Sequence, residues 1–588
     1  MAKSIKIISI HYGHNASVAY LQDGEVKFCV SEERFNRIKN STGFPKKALE
    51  FILHNYQGDI DYYILTQRLP WGINYLKKHE DVSTPYNQDY SKTGVQLPTL
   101  YKFLPQYFMS KALKSMLASL DNMENDISSN EEMIDFFKNK LNVPKEKILF
   151  LDHHQAHALS TVFFIGDTSN PTLIFTLDGE GDGLCATVGV FENGNYKIIS
   201  RVNRVYSLGY LYREVTAFLG MKPDEHEFKV MGLAPYAKPE HAKKIIPIFK
   251  DLLWLNKKDE FESSIPMPLV KYVLKDKLSY HRFDNIAGAI QNFTEEITTD
   301  WIRRWIKKTG ITNIALAGGV FMNVKANQKI SELSEVSSLT VVPSAGDEST
   351  VLGGVYFGYT KFCQENRISC EIKKINSLSL GCQYSEEDVK IFLEKNNYFQ
   401  KYKITKPEKI NEKIAELLAN NKVVARLAGR MEFGARALGN RSILANPASQ
   451  DNVKIINEMI KNRDFWMPFA TSIISEDAAR YFINPKDINA SFMAITFDTT
   501  ELAQKHLPAA LHPYDKTSRP QIVKKEDNPD YHEIISEFKK LTDIGGVLNT
   551  SFNLHGEPNV MSLEDAMHTF ENSGLEYLVL ENYLISKL

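Results

Sequence analysis

The sequence predicts an α/β protein of two domains. Three observations lead there: 588 residues exceed what one core serves, a meander pattern recurs at residues 5–31 and 172–200, and apolar periodicity lapses near 365–385 before resuming. The domains read as 1–370 and 371–588. An insertion near 70–130, rich in Tyr, Lys, Pro and Asn, suits a lid or an acceptor-binding surface, with a solvated excursion as the ordinary alternative. The balance of 43% hydrophobic to 24% charged residues is that of a water-soluble globular chain. A formal net charge of -2 lacks the basic field that would favour a nucleic-acid partner.

The first meander, IKIISIHYGHNASVAYLQDGEVKFCVS, gives an apolar strand, a polar turn, a second strand, a turn at Asp23 and Gly24, and a third strand. TLIFTLDGEGDGLCATVGVFENGNYKIIS repeats that order and turns at Asn193 and Gly194. Two such units, each followed by helices, occur in the actin/hexokinase-type ATPase fold, where phosphates lie against the first turns. NIALAGGVFMNVKAN at 313–327 reads as a strand, a glycine pair and a helix. Gly318 and Gly319 either let a nucleotide touch bare backbone or simply make the turn. SLTVVPSAGDEST at 338–350 ends another strand with Asp347 and Glu348, where a carboxylate closes a metal site or caps the next helix. The N-terminal apolar stretch is too short for a signal peptide, no run of about eighteen apolar residues occurs, and the five cysteines form no CxxC pair. A cytoplasmic protein with no membrane partner and no thiolate zinc site is expected.

The clearest chemical signal lies between the meanders. KILFL at 147–151 is a strand, and Asp152 caps the helix after it. His153 and His157 stand one helical turn apart, so their imidazoles share a face and can converge on one ion, whereas His154 points elsewhere. Asp178, Glu180 and Asp182 alternate with glycines after the LIFTL strand. A calcium loop is excluded, because the twelfth position from Asp178 is Gly189 and not a bidentate Glu. The bland alternative is a pair of satisfied core histidines.

The second half carries cations. RLAGRMEFGARALGNRS supplies Arg426, Arg430, Arg436 and Arg441, and IKNRDFWMPFA adds Lys461 and Arg463. Planar guanidinium groups grip phosphoryl oxygens in forked pairs, so a dense set suits a triphosphate beside a second phosphate-bearing substrate. Ion pairs to Glu432 and Asp464 are the structural alternative. GxxxxGK[ST] occurs nowhere, which excludes a P-loop.

Together these motifs resemble the O-carbamoyltransferases of the NodU/CmcH type. The resemblance spans nearly the whole chain: HYGHNAS at 11–17, SEERFNRIKNSTGFP at 31–45, DHHQAHA at 152–158 and LDGEGDG at 177–183. It continues through EFKVMGLAPY at 227–236, LAGGVFMNV at 316–324, EFGARALGNRS at 432–442 and LNTSFNLHGEP at 548–558. The resemblance implies a duplicated ASKHA-type (actin/hexokinase-like) N-terminal domain and a YrdC-like α/β C-terminal domain. The latter would form carbamoyl-adenylate from carbamoyl phosphate and ATP, with Mg2+, releasing pyrophosphate. The former would pass the carbamoyl group to an acceptor hydroxyl on a glycan or other small molecule. Carried across, the metal ligands are His153, His157, Asp178 and Asp347, with iron(II) the ion the family suggests. Arg436, Arg441, Lys461, Arg463, Arg519, Ser551 and Asn553 form the adenylate pocket, Arg436 and Lys461 as its catalytic cations. Glu227, Lys229, Gly318, Gly319 and Asn323 hold nucleotide in the N-terminal half. His14 is either the general base for the acceptor or a hydrogen-bonding turn residue. Two positions depart from the commoner pattern: Met467 replaces an Arg before the Pro-Phe pair, and Lys516 replaces a Gly before Thr517.

Two rivals stand beside this reading: a fused enzyme of the tRNA threonylcarbamoyladenosine type, and a non-catalytic ATP-binding ASKHA protein. A homodimer is the default assembly.

Overall fold

The computed structural model describes residues 4–56, 58–68, 127–461 and 463–587. Most of the expected insertion, residues 69–126, therefore lies outside the described residues. The chain is mixed α/β and divides into two compact units: Met1–Lys27 with Asn40–Lys374, and Phe28–Lys39 with Ile375–Leu588.

The first unit holds two five-stranded sheets. In one, β1 (Lys6–His11), β2 (Ser17–Gln22) and β3 (Glu25–Ser31) form the meander, extended by β4 (Tyr62–Leu65) and β5 (Ile148–Phe150) in the order β3-β2-β1-β4-β5. In the other, β6 (Thr172–Gly181), β7 (Leu184–Glu192) and β8 (Asn195–Asn203) form the second meander. A hairpin of β9 (Leu253–Leu255) and β10 (Phe261–Ser263) stands apart, and β11 (Asn313–Ala317) and β12 (Ser338–Val341) complete the order β12-β11-β6-β7-β8. Read from its other edge, the second sheet repeats the first: an antiparallel meander whose first strand pairs in parallel with a fourth, which pairs in parallel with a fifth. The echo in sequence is thus a duplication of topology. Both meander turns place two residues at positive φ, Asp23 and Gly24 in one and Asn193 and Gly194 in the other, matching strand twist.

Burial follows from these places. β1 is buried along nearly its whole length, as a strand flanked on both sides reads. Strand β8, at an edge, alternates exposed and half-buried residues over its first half. The helix Thr350–Asn366 packs on the helix His153–Ser160 and on β1 through two glycines. A Cβ on Gly353 would lie 1.9 Å from the Ala156 carbonyl oxygen, and one on Gly354 2.0 Å from Ser9 Oγ.

The second unit is built on one eight-stranded mixed sheet. Its strands are β13 (Lys403–Thr405), β14 (Val424–Leu427), β15 (Arg441–Ala445), β16 (Ala470–Ile474), β17 (Pro520–Val523), β18 (Gly546–Ser551), β19 (Tyr577–Leu580) and β20 (Tyr583–Ser586). They run in the order β13-β20-β19-β14-β15-β18-β16-β17. Its core gathers Leu427, Ile443, Leu548, Phe552 and Leu578 with Val389 and Leu393 of the helix Glu386–Lys395 and Phe570 of the helix Leu563–Glu571. Among the described residues no helix is long and apolar enough to cross a membrane.

Candidate metal centre and cationic pocket

Asp152 caps the helix His153–Ser160 by accepting the Gln155 N–H. Helical pitch then stacks His153 and His157, whose Nε2 atoms lie 3.1 Å apart. Asp178 sits where β6 loses register with β7, between Leu177 and Gly181, and that irregularity frees its carboxylate from the pleat. Its Oδ2 is 3.1 Å from His157 Nε2 and 3.5 Å from His153 Nε2. Asp347, after β12, brings Oδ1 to 3.5 Å from both histidines. One ligand atom from each of the four residues falls within 4.8 Å of the others.

The electrostatics are those of a cation site. Burial opposes charge on His153, yet Asp347 and Asp178 overcome it and raise the imidazole to about 9. Burial likewise works to raise Asp178, but the two imidazoles hold its carboxyl well below the usual range. Two imidazole nitrogens and two carboxylates around one point fit a borderline divalent ion such as iron(II), zinc or manganese.

The neighbours explain the glycines. A Cβ on Gly181 would fall 2.0 Å from His153 Cδ2, and one on Gly319 would stand 2.9 Å from Asp178 Oδ1. Gly318 has φ 101 and would meet the Leu177 carbonyl. Both members of the glycine pair therefore serve the approach of β11 to β6 beside a ligand. Of the alternating carboxylates only Asp178 joins the set. Asp182 accepts the N–H groups of His153 and Arg68, each at 2.8 Å, while Glu180 accepts from Arg204 and Tyr210.

His11 escaped the sequence reading. It ends β1, fully buried, with Nε2 donating to the His14 carbonyl at 3.0 Å and lying 3.8 Å from Asp347 Oδ2. Burial lowers it to about 3, so it is neutral and its Nδ1 accepts from Thr66 Oγ1 at 3.2 Å. The HxxH spacing was visible, but only strand register shows that His11 reaches the ligand group. His14 is tied to this group through its backbone.

Glu227, at the start of the helix Glu227–Leu233, accepts the Asp224 N–H, and burial raises its carboxyl to about 7. Lys229 lies half-buried on the same helix. Asn323 caps the helix Val324–Ser331 and exchanges two hydrogen bonds with Gln291, which also accepts from Tyr212 Oη.

In the second unit the expected cations separate into two groups. Lys461, in a π-helical turn, donates to the carbonyl and Oγ of Ser551 and to the carbonyl and Oδ1 of Asn553. Arg463 donates to Thr550 Oγ1 at 3.2 Å. Burial lowers Arg463 to about 10 with Arg436 adding to the effect, and burial with Arg436 and Arg463 holds Arg519 well below its ordinary value. Burial, Arg463 and Lys39 do the same to Lys461. Lys39 was not singled out from the sequence, since nothing local ties residue 39 to residue 461.

The remaining arginines hold backbone. Arg441, expected in the pocket, is fully buried and donates to the carbonyls of Ala428, Gly429, Asn440 and Cys382. Arg426 donates to the Gly439 carbonyl and Asn440 Oδ1, and Arg430 to the carbonyls of Leu380 and Gly381. Of the four arginines in the 426–441 run, only Arg436 acts on Arg463 and Arg519. At the departures from pattern, Lys516 holds φ 60, a left-handed backbone that suits Gly, and Met467 donates its N–H to the Asp464 carbonyl.

One family model, Carbamoyltransferase N-terminus, matches residues 5–355, and another, Carbamoyltransferase C-terminus, matches 415–587. An uncharacterized protein of Methanocaldococcus jannaschii is 32% identical over 99% of this chain and 100% of its own length. Nodulation protein NolNO of Sinorhizobium fredii is 30% identical over 98% of this chain and 79% of its own, and Nodulation protein NolO of Bradyrhizobium diazoefficiens 32% identical over 74% and 79%.

Proposed function

This chain belongs to the carbamoyltransferase family, and from that premise we propose that it is an ATP-dependent O-carbamoyltransferase working in two steps. The observation that carries the proposal is the electrostatic grouping of Arg436, Arg463 and Arg519, half-buried like charges that suit an anionic ligand. We assign adenylate formation to a YrdC-like domain, 371–588, and transfer to an ASKHA-type domain, 1–370. The shared strand order of the two sheets supports the second assignment.

In the first step carbamoyl phosphate loses inorganic phosphate to water, and the resulting carbamate oxygen attacks the α-phosphorus of Mg2+-bound ATP, expelling pyrophosphate. Arg436, Arg463 and Arg519 hold phosphoryl oxygens in forked pairs. Lys461 is fixed by Ser551 and Asn553, so its amino group needs no reorganisation when charge builds on the leaving group. In the second step an acceptor hydroxyl, on a sugar or secondary metabolite, attacks the carbamoyl carbon and the bond to AMP breaks. His14 takes the hydroxyl proton. His11, through the His14 carbonyl, orients that turn. Glu227, Lys229, Gly318, Gly319 and Asn323 hold the nucleotide. A divalent cation held by His153, His157, Asp178 and Asp347 would supply charge that favours departure of AMP.

The test is pyrophosphate release that depends on carbamoyl phosphate, followed by mass spectrometry of candidate acceptors. Arg436→Ala should abolish pyrophosphate release, while His153→Ala should spare it and block transfer. Release that requires threonine and bicarbonate instead would point to the threonylcarbamoyladenosine rival, and ATP binding without turnover to a non-catalytic protein.

A further inference from the structure

The segment Glu432–Arg441 carries Arg436 yet contains no helix or strand until its last residue, so something other than a ladder must hold it. Two charged side chains, both buried, do so. Glu432 is 3% exposed and its Oε1 accepts the N–H groups of Leu438 at 2.8 Å, Asn440 at 2.7 Å and Arg441 at 3.1 Å. Arg34, 5% exposed and contributed by Phe28–Lys39, donates from Nη2 to the Gly434 carbonyl at 2.8 Å. Between these anchors Asn549 binds the Ala437 carbonyl, Gln521 that of Leu438 and Arg426 that of Gly439. The backbone is therefore tied down on both sides of Arg436.

Such anchoring has a physical purpose. Arg436 acts electrostatically on Arg463 and Arg519, so where the loop carries it sets how this group of guanidinium charges meets an anion. A loose loop would have to be re-ordered at each binding event. We propose that Glu432 and Arg34 are positioning residues that hold this loop in one conformation and so present Arg436, preformed, to a phosphoryl ligand. The Glu432 side chain also acts on the buried guanidinium groups of Arg426 and Arg441, which bind the loop's own carbonyls. This inference rests on the proposed role of Arg436 in anion binding.

The experiment uses the full-length protein with inorganic pyrophosphate as the probe, its affinity measured by titration calorimetry and melting temperature recorded alongside. Glu432→Gln and Arg34→Met should each weaken binding about tenfold, the scale of losing a hydrogen bond to a charged group. Either change added to Arg436→Ala should weaken binding by no more than about twofold beyond Arg436→Ala alone, because residues acting through one group are not additive. Full additivity, or unchanged binding in either single variant, overturns the proposal. Should Glu432→Gln not fold, the Arg34→Met cycle decides alone. A wild-type protein that binds pyrophosphate but releases none from ATP would defeat the enzymatic reading while leaving this inference standing.

Discussion

At the scale of single residues, the candidate metal centre depends on lone pairs meeting. Helical pitch stacks His153 and His157, but the donor set closes only because Asp178 arrives from β6 and Asp347 from the turn after β12. His157→Ala should therefore lose bound divalent metal, read by elemental analysis after desalting. Chelation of the wild type should lower its melting temperature, since an ion at about a hundred times its Kd contributes about 2.7 kcal/mol to the folded state. Glu227 gives a prediction of opposite character. Burial raises its carboxyl from 4.5 to about 7, so between those values the folded chain keeps a proton that the unfolded chain has lost. Stability then falls as pH rises through this window, by at most about 1.4 kcal/mol per pH unit, and levels off above it. Glu227→Gln should match wild type near the lower end of that window and exceed it at pH values above the upper end, checked by urea denaturation at both. Equal midpoints at both would mean that Glu227 is not held protonated. The histidine pair was legible from spacing, whereas His11 was not, because its role depends on where β1 ends relative to Asp347.

At the scale of elements, close approach sets the rules. Replacing Gly353 by Ala inside a helix gains about 1 kcal/mol of helical propensity. The new Cβ, however, would lie 1.9 Å from the Ala156 carbonyl, a backbone atom that cannot rotate away. Overpacking costs about 1–3 kcal/mol and should win, lowering the melting temperature and, by pushing on the helix His153–Ser160, reducing metal content. A variant as stable and as metal-rich as wild type would refute that packing argument. The two meanders were legible because alternation and the Asp-Gly and Asn-Gly turns are local signals. The glycine pair at 318–319 was legible as a turn, but its reason, the closeness of Leu177 and Asp178, belongs to strand pairing. The arginine run shows the same limit: charge density could be read, yet which guanidinium groups bind carbonyls depends on which carbonyls fold toward them.

At the scale of the whole molecule, Phe28–Lys39 forms one compact unit with Ile375–Leu588. Arg37 donates to the carbonyls of Pro558 and Asn559, and Arg34 to that of Gly434. Residues 375–588 expressed alone should accordingly show faster amide exchange across 432–441 than the full chain does. Equal protection would show that the segment is dispensable there. Taken alone, the sequence determined the strands, the caps, the paired histidines and the stock of cations, since helical pitch and strand alternation act over a few residues. Tertiary structure alone decided that Asp178 and Asp347 join the two histidines in one donor set, that Arg436 acts on Arg463 and Arg519 while Arg441 binds backbone, and that Arg34 donates to the Gly434 carbonyl. Those choices turn on distances between positions far apart in the chain, which packing of the sheets sets and no local pattern encodes.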